Sequence, residues 1–379
     1  MNNYLARFIL FNRPTSHDQN RMPQRALSPS PTPVSLPRAP ALLPLERLTL
    51  AAQPGSSPVP LGRLLDDSGT TAFVVLADGR IVWEHFANGG RADKPARCFS
   101  VTKSVASTLV GLAVGSGAIT SVDTPIGAWL PEARDPRMRA LSLAHLLEMR
   151  SGIRFVEGVL PWCDEPRTYY ATDLRSRLLT RRITDAPGAF FHYNDWHPLL
   201  LTLLLERATG MPVTAWLQAK LWNPLGANSR GSMMVDRTAA DGVEHLESGL
   251  AASAYDLAKF GQLYLQDGIW QGARLLPEGW VRSSTSPDGT RMDAEWFRYY
   301  RERPWGRFLA SGRVFYKWFW WGHRLDENRY DFFAMGVLGQ HVYVSPDTRT
   351  VIVRLSDRFP RGMWWAPLLR RVAEAATTE

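Results

Sequence analysis

The chain reads as an α+β protein: an antiparallel sheet built from both chain ends and flanked by helices, with a mainly helical insert between. Three observations predict this. Thr71–Leu76 and Ile81–Phe86 are apolar, β-branched runs either side of Ala77-Asp78-Gly79-Arg80, and an Asp-Gly pair in that setting is the strongest short-range hairpin signal. Far downstream, Tyr316–Arg324, Asp331–Gly336, His341–Val344 and Thr350–Leu355 read as consecutive antiparallel strands, the last two joined at Ser345-Pro346-Asp347. Residues 150–240 carry mainly helical spacing. Strands grouped at two ends with helices between them are an α+β layout, not an alternating βαβ one.

Taken in order, residues 1–60 hold 11 of the 27 prolines and runs such as Ser28-Pro29-Ser30-Pro31-Thr32-Pro33. Proline blocks helix and removes donors, and little apolar periodicity remains to build a core, so a disordered leader is expected. Order is expected from Leu61, where LGRLLDD suggests a short helix, making residues 61–379 one domain with a helical subdomain at about 150–240. After the hairpin, Ser104–Gly115 is small or apolar throughout, a helix packed deep in the domain. Thr120–Pro125 reads as a loop and Leu141–Met149 as a helix with Ser142 as N-cap. Pro198–Ala208 is a strongly apolar helix stopped at Gly210, with Pro212 beyond. Ser253–Gln266 is another helix, and Met363–Ala376 closes the chain. No internal repeat is visible.

Composition excludes several classes. The hydrophobic fraction of 45% and charged fraction of 21% are those of an ordinary soluble globular protein. Half of the formal +8 charge sits in residues 1–60, where six arginines face Asp18 and Glu46. The rest is too dilute for a nucleic-acid footprint, and no basic helix interleaves with aromatics. Arg181-Arg182 and Arg370-Arg371 read as solvated helix faces. Two cysteines, Cys98 and Cys163, cannot form a disulfide framework. No apolar run approaches the roughly 18–20 residues of a membrane span. The patch Tyr4–Phe11 is interrupted by Arg7 and lacks the core and cleavage site of a secretory signal; a cytoplasmic protein is expected.

Chemistry concentrates at Ser100-Val101-Thr102-Lys103. Residues i and i+3 share a helical face, so hydroxyl and amine can converge at a helix start. Lysine is seldom fully buried unless paired or working, and burial disfavours its charged form. Such an amine can take the serine proton and convert a weak hydroxyl into a nucleophile. The bland alternative is that Ser100 is only an N-cap. His192 and His197 are spaced poorly for a helical metal pair and lack a companion cluster with metal spacing; no metal or organic cofactor is expected.

Six segments in order resemble the serine hydrolase superfamily of penicillin-binding proteins and class C β-lactamases, nearest its esterase and 6-aminohexanoate-dimer hydrolase branch. They are Phe99–Gly111 (FSVTKSVASTLVG), Ala118–Pro125 (AITSVDTP), His145–Gly152 (HLLEMRSG), Phe191–Asp195 (FHYND), Ser248–Leu257 (SGLAASAYDL) and Gly336–Pro346 (GVLGQHVYVSP). The resemblance implies a β-lactamase/DD-peptidase-like fold and acyl transfer to a small-molecule ester or amide. It makes Ser100 the nucleophile, Lys103 the base and Tyr193 a proton relay. It also implies an oxyanion hole from the backbone amides of Ser100 and Gln340, with Gly339 letting the strand approach substrate backbone-first. Tyr169 and Tyr170 fall in a cleft-covering segment, so Tyr170 is expected near substrate.

Two departures stand out. Asp195 replaces the usual asparagine of the tyrosine motif, and a carboxylate near Lys103 would favour the ammonium. Either Asp195 turns away or is protonated, or Tyr193 carries more of the proton transfer. The last strand carries Val337-Leu338-Gly339, without the Lys or His that holds the carboxylate of β-lactam and D-alanyl substrates. A β-lactamase or D-alanyl peptidase, and a catalytically silent binder on the same scaffold, remain the alternative readings.

Overall fold

In a computed structural model of the chain, residues 3–11, 13–40, 43–53, 55–300, 302, 306–309, 311–359 and 365–377 are described. A seven-stranded, wholly antiparallel sheet lies at the centre, in the order Val314–Lys317, Trp320–Arg324, Tyr330–Gly336, Gln340–Ser345, Thr350–Ser356, Thr70–Ala77, Arg80–Phe86. The two chain ends meet where Thr350–Ser356 pairs with Thr70–Ala77, placing Val353 opposite Val74 and Ile352 opposite Val75. These strands are buried on both faces because helices cover both. Side chains alternate across a strand, so Val342, Val344 and Val351 face one way, toward the helix Ala254–Leu265. That helix lies so close that a Cβ on Gly261 would come within 2.5 Å of Val351. The opposite face carries Arg354 and Tyr343, covered by the closing helix Trp365–Ala375: the Arg354 guanidinium stands 3.9 Å from the Trp365 ring centre.

Local signals behave as their chemistry dictates. Ser142 caps Leu143–Leu147 in a reciprocal box with His145, and the Ser253 hydroxyl accepts from the Asp256 amide at the start of its helix. The apolar helix Trp196–Thr209 ends at Gly210, whose φ is +68°. The insert adds Asp164–Tyr169, Leu174–Leu178 and Val213–Leu217. Among the described residues no helix is long and apolar enough to cross a membrane.

Two expectations need correction. Tyr316–Arg324 is not one strand but a hairpin that turns at Trp318 and Phe319, both with positive φ; two aromatics at the turn, with no Gly, Pro, Asn or Asp there, give no turn signal. The proline-rich stretch expected as a disordered leader is a docked strap in its described residues. Gln24–Leu27 pairs with Gly231–Met234 in a second sheet completed by Leu250–Ala252 and Ala96–Arg97. The amides of Ser30 and Val34 donate to Ala227 O at 2.8 Å and Gly226 O at 2.9 Å. The amides of Ser28, Ser30 and Val34, alternating with prolines, thus find acceptors on the body of the domain.

Candidate active site

The hydroxyl of Ser100 sits at the N-terminus of the helix Val101–Gly115, whose residues 101–113 are all buried. Phe99, immediately before it, has φ +48°, a conformation a bulky side chain adopts only where its surroundings enforce it. The enforcement is visible. Cys98 N donates to Leu250 O at 2.8 Å, Leu250 N donates to Thr102 Oγ1 at 3.1 Å, and Ser104 Oγ donates to Phe319 O at 2.7 Å. The turn bearing Ser100 is therefore clamped between the small sheet and the central one.

Lys103 lies one helical turn on and is 1% exposed. Its Nζ donates to Ser100 Oγ at 2.8 Å and to Glu247 O at 2.8 Å. A third neighbour is Asp195, whose Oδ1 is 2.8 Å away as an ion pair. The expectation of a neutral amine is corrected here. Burial pulls the Lys103 ammonium down, but Asp195 first, then Tyr193 and Glu247, more than reverse it and hold its pKa above the usual lysine range. Asp195 is itself pushed up by burial, against the pull of Lys103, with Glu247 and Glu157 adding to the rise. The contact therefore favours the ammonium form of Lys103.

Tyr193 completes the cluster. Its ring centre is 4.8 Å from Lys103 Nζ. Burial raises its phenol while Lys103 and a hydrogen bond to Ser100 pull it back, and the net shift is upward. The ring is stacked on Trp321 at 5.8 Å and meets Tyr316 edge-on at 5.9 Å, and its backbone amide donates to the Tyr300 hydroxyl at 2.6 Å. These aromatics, buried and packed on Tyr193, fix its orientation.

Three expected site residues stand elsewhere. Gln340 begins the strand across the hairpin from Gly336, and its side chain is locked to the Ser356 backbone by two 2.8 Å bonds. Gly339, at φ +82°, serves the turn. The strand glycine against Ser100 is Gly336: a Cβ there would lie 2.4 Å from Cys98 O and 3.1 Å from Ser100 N. The next residue, Val337, is 40% exposed. Tyr170 does not line an open cleft. It is 2% exposed, in an apolar cluster with Tyr4, Phe99, Tyr169 and Leu338 beneath the helix Asn3–Phe11. His197 is also buried, its Nε2 2.5 Å from Ser151 Oγ, and His192 stacks on Tyr299.

Sequence reasoning missed Glu247, Glu157 and Arg354. Glu247 precedes the Ser248–Leu257 segment and is bound by His245 Nδ1 at 2.6 Å; its place one residue before that segment was the available signal. Arg354, fully buried, donates to Gly339 O at 2.7 Å and to Leu338 O, Ser68 O and Thr70 Oγ1, so it braces the turn beside Gly336. Burial pushes its pKa down to about 9, against an upward pull from Asp357. A lone arginine in a strand pattern gave no warning of this.

The beta-lactamase family model matches residues 63–377. The chain is 26% identical over 311 residues to the 6-aminohexanoate-dimer hydrolase of Paenarthrobacter ureafaciens, an alignment spanning 78% of this chain and 75% of that one. It is 34% identical over 155 residues to esterase EstB of Burkholderia gladioli, spanning 37% and 39%. Among solved structures it superposes with a TM-score of 0.77 on a protein assigned as a 6-aminohexanoate-dimer hydrolase from Bacillus anthracis, at 20% identity over 95% of this chain and 92% of that one. A family VIII carboxylesterase gives 0.61 at 18% identity, over 83% and 94%.

Proposed function

The chain belongs to the beta-lactamase family, and from that premise we propose that it is a serine hydrolase cleaving an ester or amide through an acyl-enzyme on Ser100. The observation that carries the reading is the 2.8 Å contact between Lys103 Nζ and Ser100 Oγ in a nearly dry pocket. Ser100 Oγ attacks the carbonyl carbon, and its proton enters the Lys103–Asp195–Tyr193 cluster. Lys103 first gives up its own proton, a loss that the neighbouring Asp195 carboxylate opposes. The freed amine then takes the serine proton. The oxyanion sits between the amides of Ser100 and Val337, each such donor lowering the barrier by about 3 kcal/mol. Tyr193 hands a proton to the leaving group, and water releases the acyl group by the same path reversed.

The surroundings narrow the substrate class. The strand positions before Gly336 are Ala334 and Met335, so no cation stands where a penicillin-type carboxylate would need one. Asp195, Glu157 and Glu247 instead make the site acidic, which favours esters and uncharged or cationic amides.

A fluorophosphonate probe tests the reading. It should label Ser100 in the wild type, and Ser100→Ala should abolish both labelling and p-nitrophenyl ester turnover while leaving the melting temperature nearly unchanged. Turnover within a fewfold of wild type in that variant would remove the nucleophile assignment. Absence of labelling in the wild type would leave a silent binder, and rapid nitrocefin turnover a β-lactamase.

A further inference from the structure

Nine large apolar side chains are exposed among the described residues, and six of them occupy two adjoining segments. Leu5, Ile9 and Leu10, 50–75% exposed, form the outer side of the helix Asn3–Phe11. Val159, Leu160 and Trp162, 48–80% exposed, form the loop beside it, where the Tyr4 hydroxyl donates to Pro161 O at 2.7 Å. The helix has two apolar sides. Its inner side, Tyr4, Phe8 and Phe11, packs on Tyr170, Phe99 and Leu338, which accounts for only half of its apolar residues. An exposed cluster of this kind marks an interaction surface. A seventh exposed residue, Val337, is the chain neighbour of Leu338, which packs in the cluster beneath that helix with Phe99, the residue before Ser100.

Arginines surround it. Arg7 is anchored by donating to Ala171 O at 2.9 Å, and Arg13 follows the helix exposed. Arg167 and Arg177 both act electrostatically on the Tyr4 phenol, and Arg21 on Tyr170. Of the nearby carboxylates, Asp18 is buried and bound by Tyr169 and Thr15, Asp164 is buried and bound by the Val156 amide, and Glu157 is nearly buried against His192. Glu165 alone among these is exposed, and it accepts from the Gly158 amide. The face is apolar at its centre and basic at its rim.

We propose that this face docks onto a lipid bilayer bearing anionic headgroups. The outer side of helix Asn3–Phe11 and the Val159–Trp162 loop enter the boundary between headgroups and acyl chains, and the arginines meet the lipid phosphates. A second copy of the chain fits less well, because a two-fold pairing of this face would bring two arginine rims together.

The test is co-sedimentation of the full chain with vesicles of phosphatidylcholine alone or with about 30 mol % phosphatidylglycerol. Binding to the anionic vesicles should be at least about tenfold the stronger, and should fall about tenfold as salt rises from roughly 50 to 500 mM. The variant Ile9→Ser/Leu10→Ser/Trp162→Ser should lose about tenfold in binding while keeping its melting temperature and its turnover of a soluble ester. Should that variant fail to fold, Trp162→Ser alone should still weaken binding severalfold. Equal partition into both vesicle types, or unchanged binding in a folded variant, overturns the proposal. So does a lipid-free dimer that these substitutions dissociate.

Discussion

Asp195→Asn should move the acid limb of the pH–rate profile downward by about two units. In the wild type the Lys103 ammonium and the Asp195 carboxylate touch at 2.8 Å, with side chains 2% and 20% exposed. Two unit charges about 4 Å apart between charge centres, at an effective dielectric of about 20, interact by about 4 kcal/mol. At 1.36 kcal/mol per pH unit that is about three units of support for the ammonium. Water at the exposed edge of Asp195 screens part of it, leaving about two. Asparagine has the same shape and removes the charge. Burial, which already pulls Lys103 down, then faces only the weaker pull of Tyr193 and Glu247.

The sign follows directly. A lower pKa means that a larger fraction of Lys103 is free base at any pH below it, tenfold for each unit. At pH 6 the acylation rate should therefore rise by about 100-fold, unless a later step becomes limiting first. The assay is kcat/KM for p-nitrophenyl acetate from pH 5 to 10, alongside the rate at which a fluorophosphonate modifies Ser100, which involves no later step. A limb that stays within half a unit of wild type, or moves upward, would show that the carboxylate does not set the charge of Lys103. The reasoning about how the serine proton leaves would then fail with it.

Three further outcomes are expected. Gly336→Ala drives a Cβ into Cys98 O and toward Ser100 N, so kcat should drop by about 100-fold or more through loss of oxyanion alignment, with a stability cost of about 1–3 kcal/mol; activity near wild type would detach Val337 from the site. Arg354→Met removes the guanidinium bonds to Gly339 O, Ser68 O and Thr70 Oγ1 on two segments and should cost about 1–3 kcal/mol, read as a fall in denaturation midpoint; a loss well below about 1 kcal/mol would mean the turn is held by other means. His341, fully buried with its pKa pushed by burial down to about 3, stays neutral in the fold while the unfolded chain takes up a proton below about pH 6.5. Its contribution is complete above that pH and lost progressively toward pH 3, about 2–3 kcal/mol by pH 4.5. The drop in melting temperature between pH 7 and 4.5 should shrink in His341→Gln, and an identical drop would refute the assignment.

What the sequence disclosed, and what it withheld, divides along the range of the interactions. The hairpin at Asp78-Gly79, the cap at Ser142 and the stop at Gly210 each depend on atoms a few residues apart, and each is found where the residues placed it. The proximity of Ser100 and Lys103 is of the same kind, one helical turn. Docking of the strap was invisible because Gln24 finds its partner, Met234, some two hundred residues away. No local pattern in a proline-rich segment encodes a distant edge.

The glycines of the last hairpin make the same point at the level of a single atom. Gly336 and Gly339 sit three residues apart in one motif, and sequence offers no means of ranking them. Gly339 is required for its backbone, since its φ of +82° suits a turn that L side chains resist. Gly336 has an ordinary extended φ of −131° and is required for its missing Cβ, because the backbone of Cys98 and Ser100 occupies that space. One glycine supplies freedom and the other supplies room, and only the second lies against Ser100. The distinction becomes readable once the chain has brought Cys98 and Ser100 against the strand. The charge of Lys103 obeys the same logic: the sequence put a carboxylate in the tyrosine motif, but only the fold turns it toward the amine at 2.8 Å, and that orientation decides whether the lysine holds its proton or gives it up.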